Sequence, residues 1–267
     1  RYTAGFCPDR VVFARRKRGL GRVVDLKHIE PCPPEEPGAP AWLEPLNALE
    51  RVLKRADVRS GTLTVVLSNH FVRYLLIPWN DEIASREEFD NYARACFENV
   101  FGPGAQSWEV RVAPGKAGTP RLGCAIDREL LGALRHTAGT SALKLISIQP
   151  YLMAAYNRLS WHFARGDFVF LLVEQGRACL LSALGERWQS VRSAAVADAE
   201  SAVALLEREM QLLDAGTAPP QVFVHAPDAG KLKLPRFNNE KPQFLVFAPL
   251  EGFVPDQEGA YSMALAA

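Results

Sequence analysis

The chain has 267 residues, of which 48% are apolar and 23% are charged, so it can bury a sizeable core in one or two domains. Its formal net charge is +1, which disfavours nucleic-acid binding and strong attraction to a charged membrane surface. Apolar runs are too short for a bilayer-spanning helix, which needs ~18 apolar residues. Five scattered cysteines without a C-x-x-C spacing favour reduced, cytoplasmic thiols over disulfides or a zinc site.

Residues 2 to 67 are predicted to form three short strands, a helix and a fourth strand. A Pro-Asp pair at residues 8 and 9 marks the first turn. After a proline-rich loop, large apolar residues recur at helical spacing and indicate one buried helix face. The predicted strands are Tyr2–Phe6, Val11–Arg15, Val23–Ile29 and Leu63–Leu67, and the helix face contains Trp42, Leu46, Leu49 and Leu53.

The next block reads as a strand, a helix, a hairpin, a second helix and a closing strand. Ser85 and Glu88 have the spacing of a capping box at the start of the first helix, and Gly102 is expected to end it. The predicted strands are Phe71–Ile77, Trp108–Val112, Leu122–Ile126 and Leu143–Ile148, and Asp127 is expected to cap the second helix.

The second half of the chain repeats the element order of the first. Pro150 is expected to occupy the first position of a helix whose apolar face contains Leu152, Ala155, Leu159 and Phe163. A later helix is expected to begin at Asp198 and end at Gly216. The strands predicted around it are Phe168–Val173, Arg177–Ala183, Arg187–Arg192 and Gln221–His225. Such a repeat would place any ligand in the cleft between the two copies.

The tandem unit resembles the actin-like fold, in which two ribonuclease-H-like domains face each other across a cleft. The run from Leu67 to Trp79 is similar to a strand of bacterial pilus-assembly and type II secretion proteins of the PilM and GspL type. In those proteins a helix rich in Glu and aromatic residues follows, as it does at Glu87–Phe101. The resemblance implies an α/β fold with ribonuclease-H-like domains at 1–149 and 150–267 and an α+β subdomain inserted at about 68–127.

An alternative fold leaves residues 68–148 as an independent ferredoxin-like domain, because their element order is also strand-helix-strand-strand-helix-strand. Leu143–Ile148 would then lie outside the sheet formed by residues 2–67.

The resemblance also implies where a nucleotide would bind, because actin-like ATPases hold phosphates in the hairpin turn that follows the first strand of each domain. In the first turn Phe6 and Pro8 are bulky, and Pro8 has no amide to donate. In the second turn Glu174 stands in place of Asp and Gly176 is retained, but no Ser or Thr follows. A later loop keeps only Gly230. We expect no catalytic residue, no metal site and no resident cofactor; Glu174 and Gly176 are the candidates if ATP with Mg²⁺ binds.

The function that the resemblance implies is a non-catalytic scaffold of a bacterial inner-membrane apparatus, for type IV pilus assembly or type II secretion. Its partners would be a motor ATPase and membrane subunits, and its location cytoplasmic at the inner membrane. The alternative is a nucleotide-binding ATPase or sugar-kinase relative. The chain starts without Met and ends in the apolar segment Tyr261–Ala267, a pattern consistent with a fragment of a longer protein and equally with a natural terminus. Association with the membrane is expected either through a partner or, if the chain is a fragment, through a membrane helix beyond Ala267.

Three further features are candidates for contacts with other molecules. The basic run at residues 15–18 is expected to be a solvated hairpin end, with an anionic lipid or nucleic acid as the alternative. Cys7 lies beside a turn but has no adjacent base to activate it. The inserted subdomain is expected to bind the protein partner through exposed helix residues and border aromatics, namely Arg86, Glu87, Asp90, Arg94, Glu98, Trp79 and Trp108.

Overall fold

The computed structural model describes residues 1–17, 23–55, 57–163, 166–213, 219–227, 232–237 and 239–267. The strands within these ranges are β1 (Tyr2–Phe6), β2 (Arg10–Arg16), β3 (Val24–Pro31), β4 (Gly61–Leu67), β5 (Val72–Ile77), β6 (Trp108–Val112), β7 (Arg121–Asp127), β8 (Leu143–Pro150), β9 (Phe168–Glu174), β10 (Arg177–Leu184), β11 (Arg187–Ala195), β12 (Gln221–His225) and β13 (Gln243–Phe244). The helices are α1 (Leu43–Leu53), α2 (Arg86–Phe101), α3 (Arg128–Gly139), α4 (Tyr151–Arg158), α5 (Ser160–Phe163), α6 (Ala199–Leu212) and α7 (Ser262–Leu265).

Two five-stranded sheets share one strand order, β3-β2-β1-β4-β8 in the first and β11-β10-β9-β12-β13 in the second. In each sheet the first three strands of the chain pair antiparallel, and the next two join in parallel. This shared topology confirms the predicted fold class of two ribonuclease-H-like halves. The inserted block forms its own antiparallel sheet in the order β5-β7-β6.

The fifth strand of the first sheet decides between the two predicted folds. β8 pairs in parallel with β4, and Leu143 lies opposite Gly61. This strand therefore belongs to the sheet of residues 2–67, and the alternative of an independent ferredoxin-like domain is wrong.

One compact unit contains the first sheet and consists of Arg1–Phe71, Glu129–Leu159 and Val246–Ala267. Its last segment packs on the sheet, because α7 contacts β1, β2 and β4. The amide of Val24 donates to the carbonyl oxygen of Glu251 at 2.8 Å. A buried cluster joins the same two parts of the chain and contains Val12, Ala14, Val24, Phe253, Ala264 and Leu265.

The other compact unit consists of Val72–Arg128 and Ser160–Leu245, so it combines the inserted sheet with the second five-stranded sheet. Helix α2 packs on the inserted sheet through a cluster that includes Phe97 and Ile77, and β5 lies beside β11. The boundaries of the two compact units do not coincide with the boundaries of the two repeated halves. The predicted domain boundary between residues 149 and 150 therefore stays a prediction.

Two predicted helix starts are confirmed by their caps. The hydroxyl of Ser85 accepts from the amide of Glu88 at 3.2 Å, and the Glu88 carboxylate accepts from the amide of Ser85 at 3.1 Å. At the start of α6, the carboxylate of Asp198 accepts from the amide of Ser201 at 2.8 Å. Gly102, at a φ of 82°, ends α2 as predicted. The predicted end of α6 at residue 216 lies outside the described residues.

The predicted helix from residue 150 to 163 is wrong as one continuous element. Pro150 is the last residue of β8 and the N-cap, so α4 begins one residue later. At Leu159 the backbone leaves the helical region, with φ −102° and ψ 7°. Its amide also donates to the carbonyl oxygen of Tyr156 at 3.2 Å, which tightens the last turn and ends the helix. A separate short helix, α5, then begins at Ser160.

Candidate functional site

The first predicted phosphate turn joins β1 to β2. The amide of Cys7 donates to the carbonyl oxygen of Arg10 at 3.0 Å, and the carbonyl oxygen of Asp9 accepts from the amide of Cys32 at 2.8 Å. Pro8 has no amide hydrogen. A phosphate-binding turn presents a series of unpaired backbone amides to its ligand. Because two successive positions, Cys7 and Pro8, have no amide to offer, this turn is a poor phosphate cradle.

The C-terminal helix packs against β1 next to this turn. A Cβ atom at Gly5 would lie 3.2 Å from the amide nitrogen of Ala264 and 3.3 Å from Cβ of Met263. The Cys7 thiol contacts the sulfur of Met263 at 3.5 Å, and Met263 and Ala264 are buried. Glycine in β1 therefore allows a close backbone approach that serves core packing. The same packing places the Cys7 thiol against a thioether, which cannot activate it as a base would.

The second predicted turn brings the two candidate residues, Glu174 and Gly176, into one tight hairpin. Glu174 ends β9 and lies opposite Arg177, the first residue of β10. Gly176 has a φ of 74°, a conformation that glycine adopts without strain. Its carbonyl oxygen accepts from the amide of Val196 at 3.1 Å. Glu174 is buried, so its carboxylate faces the protein more than the solvent.

Two arginines lie close to this second turn. Burial lowers the pKa of Arg73, and the nearby positive charge of Arg177 lowers the pKa further. Arg177 donates to the hydroxyl of Ser193 at 3.2 Å. Its Nε atom is buried and has no hydrogen-bond partner within the described ranges. The position of Arg73 near this turn was not predicted from the sequence, because Arg73 and Arg177 are about a hundred residues apart in the chain and approach each other through the packing of β5 beside β11.

The third predicted contact loop follows β12, and its retained glycine, residue 230, lies outside the described residues. At the end of β12, His225 is buried, and one ring nitrogen is 2.9 Å from the carbonyl oxygen of Leu245. Burial lowers the pKa of His225 to about 4. The imidazole is therefore neutral at pH 7, and it links β12 to the segment that follows β13.

A nucleotide with Mg²⁺ requires amide donors for its phosphates and oxygen ligands that organise the metal. The first turn offers Asp9 but few free amides, and the second offers Glu174 with no hydroxyl residue after Gly176. In the part of the chain that the structure describes, no three His, Cys, Asp or Glu side chains gather to hold a metal ion. The two turns therefore do not fit a nucleotide site of the actin-like kind, and the assignment of Glu174 and Gly176 stays a prediction.

The basic run at the end of β2 is partly neutralised by one carboxylate. Arg15 donates two hydrogen bonds to Asp25, at 2.9 and 2.8 Å, and the ammonium of Lys17 lies 3.1 Å from the same carboxylate. Hydrogen bonding to Arg15 lowers the pKa of Asp25 to about 2. Residue 18 lies outside the described ranges. Because Arg15 and Lys17 are paired with Asp25, the arrangement favours a solvated hairpin end over a binding site for an anionic lipid or nucleic acid.

The residues that were predicted to contact a partner lie in the inserted subdomain, and their role in binding stays a prediction. The Arg86 side chain is 90% exposed, and its 4.0 Å contact with Asp90 is weak. Trp108 packs edge-on against Phe101 with the ring centroids 5.5 Å apart. Trp79 donates from its indole nitrogen to the carboxylate of Asp81 at 2.6 Å. Both tryptophans are thus held by neighbours in the subdomain. Of the charged residues of α2 that were predicted to bind a partner, Glu98 is half-buried and accepts from Gln106, and the others are exposed, namely Arg86, Glu87, Asp90 and Arg94.

Solved structures with the same architecture cover nearly the whole chain. The cytoplasmic domain of EpsL, an inner membrane component of the type II secretion system of Vibrio cholerae, has a TM-score of 0.63 at 11% identity, over 100% of this chain and 94% of that one. The PilM–PilN type IV pilus biogenesis complex has a TM-score of 0.65 at 14% identity, over 99% and 95% of the two chains. A Bacteroides thetaiotaomicron protein of unknown function with an actin-like ATPase fold has a TM-score of 0.51 at 10% identity, over 84% and 80%.

These likenesses show that the chain has the actin-like ATPase fold. They confirm the predicted resemblance to PilM- and GspL-type proteins at the level of the fold. No protein-family model matches the chain, and the comparison with curated proteins gave no match. Among the described residues, no helix is long and apolar enough to cross a membrane.

Proposed function

We propose that this chain is a non-catalytic scaffold of a bacterial inner-membrane apparatus, for type IV pilus assembly or type II secretion. It would act on the cytoplasmic side and link a motor ATPase to membrane subunits. The observation that supports this role most strongly is the match over at least 99% of the chain to both the EpsL cytoplasmic domain and the PilM–PilN complex. One of these neighbours belongs to a secretion system and the other to a pilus system, so the proposal spans both machines.

The non-catalytic part of the proposal is supported by the turns. Nucleotide hydrolysis requires positioned phosphates, a neutralising metal and an oriented water. At the first turn the Cys7 amide is bonded within the hairpin and Pro8 has none to donate. At the second turn Glu174 is buried beside Gly176. One observation supports the alternative of a nucleotide-binding relative: Gly176 has a positive φ, as a glycine in a tight phosphate-binding turn would.

The scaffold role is tested by deleting the gene in its native bacterium and measuring surface pili and secreted proteins. We expect loss of one of the two, restored by the wild-type gene. Crosslinking in intact cells followed by mass spectrometry should then identify inner-membrane subunits of that machine next to the chain. Normal pili and normal secretion in the deletion strain would overturn the proposal. Matched expression of a Glu174→Ala variant should restore the phenotype fully, and failure to do so would favour the nucleotide-binding alternative.

A further inference from the structure

A pocket of about 450 Å³ lies in the inserted subdomain, between the first turn of α2 and the end of the three-stranded sheet. Half-buried apolar side chains line it, among them Trp79, Ile83 and Phe89. Its size is at the lower end of the range found for ligand pockets in proteins. The pocket can therefore hold one or two side chains of a peptide, and it is too small for a folded domain.

Arg121, the first residue of β7, also lines this pocket. Its guanidinium carbon lies 5.2 Å from the ring centroid of Trp79 and 4.7 Å from that of Phe89. Both distances are within the range of cation–π attraction. The guanidinium group of Arg121 therefore lies against both rings.

Arg121 carries a positive charge that no anionic side chain neutralises among the residues that the structure describes. Within the described ranges it forms no ion pair, and its buried Nε atom has no hydrogen-bond acceptor. Two other arginines of the subdomain are paired, since Arg111 lies 2.7 Å and Arg128 3.9 Å from the carboxylate of Glu109. A partly buried cation without an acceptor is unfavourable, so a carboxylate that entered the pocket would gain a preformed partner.

The capping groups at the start of α2 are already hydrogen-bonded and are not available to such a ligand. The Glu88 carboxylate accepts from the amides of Ala84 and Ser85, and the Ser85 hydroxyl accepts from the amide of Glu88. These groups at the helix start are therefore satisfied within the chain. Two cationic side chains line the pocket: Arg86, which is exposed and lies 4.0 Å from the carboxylate of Asp90, and Arg121, which is half-buried against the aromatic rings.

We propose that this pocket docks an acidic peptide segment of a protein partner. A Glu or Asp side chain pairs with the edge of the Arg121 guanidinium, and a neighbouring apolar side chain packs on Ile83 and the two aromatic rings. A polyanion fits less well, because the exposed carboxylates of Asp81 and Asp90 lie close by and would repel the further phosphates of a series, whereas a peptide with one acidic side chain brings a single negative charge to Arg121. The proposal rests on the scaffold function for the identity of the partner, but the binding itself does not depend on which machine is involved.

The test uses the full chain and a random heptapeptide display library. Enriched peptides are synthesised with a fluorescein label, and their dissociation constants are measured by anisotropy. The variants are Arg121→Leu, Arg121→Lys and, as the matched control, Arg111→Leu, which removes the same charge from an exposed pair on the same subdomain. Circular dichroism melts establish that each variant is folded.

We expect the enriched peptides to share one acidic position beside an apolar residue. Arg121→Leu should weaken binding at least tenfold, Arg121→Lys should weaken it less, and Arg111→Leu should leave it unchanged, because the guanidinium fork pairs with a carboxylate in a fixed geometry. Replacing the acid of the peptide by its amide should weaken binding to the wild-type chain as much as Arg121→Leu does. That peptide change keeps the test valid even if the Arg121 variants do not fold.

Three results would overturn the proposal. The first is a set of enriched peptides without an acidic position. The second is displacement of the peptide by low concentrations of single-stranded oligonucleotide, which would identify a nucleic-acid surface. The third is concentration-dependent dimerisation in sedimentation experiments that Arg121→Leu abolishes, which would identify a second copy of the chain as the occupant. A deletion strain with normal pili and secretion would refute the scaffold function and leave the peptide result intact, so the two failures are distinguishable.

Discussion

The substitution Gly252→Ala tests whether the C-terminal segment packs on the first sheet as the structure has it. Gly252 follows Glu251, whose carbonyl oxygen accepts the hydrogen bond from the amide of Val24. It has a φ of 81°. A Cβ atom at this position would overlap the carbonyl oxygen of Val24 and lie 3.2 Å from its carbonyl carbon. The methyl group therefore cannot be accommodated unless the segment and β3 move apart.

Two costs combine in this variant. A non-glycine residue held at positive φ costs about 1–3 kcal/mol. Forcing extra volume into a packed contact costs about 1–3 kcal/mol more. Moving the segment to relieve the overlap would also expose Phe253, which is fully buried against Val12 and Leu265. We therefore expect Gly252→Ala to lower the free energy of unfolding by about 2–6 kcal/mol.

Gly38→Ala is the matched control, because Gly38 has a φ of 84° but no atom within 4 Å of a Cβ placed there. It should cost about 1–3 kcal/mol, since only the backbone strain remains. Urea denaturation followed by circular dichroism measures both values, and limited proteolysis reports whether the segment after residue 246 becomes accessible. Equal destabilisation by the two variants, with no new cleavage, would refute the packing of this segment on the first sheet.

Substitutions at three other positions test separate parts of the structure. Burial lowers the pKa of His225 in the folded chain to about 4, whereas an unfolded histidine has a pKa of about 6.5. As the pH falls, the unfolded chain therefore takes up a proton before the folded chain does. Stability should therefore fall by up to about 3 kcal/mol between pH ~6.5 and pH ~4, and His225→Phe should flatten that part of a pH series of urea melts. Ser85→Ala should cost about 1 kcal/mol through loss of the helix cap, while Ser85→Asp should cost less in the same melts. Arg192→Ala should cost about 1–3 kcal/mol because the buried Glu209 carboxylate loses a 2.7 Å donor; an unchanged thermal midpoint would contradict this.

Local signals predicted most of the secondary structure. The Ser85 and Glu88 capping box, the glycine at residue 102 and the Asp198 cap each act within a few residues, so the sequence alone defines them. The repeated order of strands was also readable, because each buried strand is a short apolar run bounded by turn residues. The strand at β8 was predicted as well, but its parallel pairing with β4 was not part of the repeat, which contained four strands in each half.

Contacts between distant parts of the chain were not predictable in the same way. β13 has two residues, too few for a periodic pattern. The close approach of Gly5 to Ala264 depends on a segment more than two hundred residues away. Arg121 lies directly after a Pro/Gly-rich loop in the sequence. Only the fold brings its guanidinium group close to the rings of Trp79 and Phe89. Of the candidate site, the sequence therefore predicted the turns and Trp79, but not the cation that the pocket contains.

We propose that the actin-like fold of this chain serves as a scaffold without a bound nucleotide. The most direct test is the thermal midpoint of the full chain with and without millimolar ATP and Mg²⁺. A ligand present at a hundred times its dissociation constant stabilises the native state by about 2.7 kcal/mol, which corresponds to a shift of about 5–10 °C for a chain of this size. We predict no shift. A saturable rise in the thermal midpoint that is lost in the Glu174→Ala variant would show that nucleotide binds at the second turn and would contradict a scaffold without nucleotide.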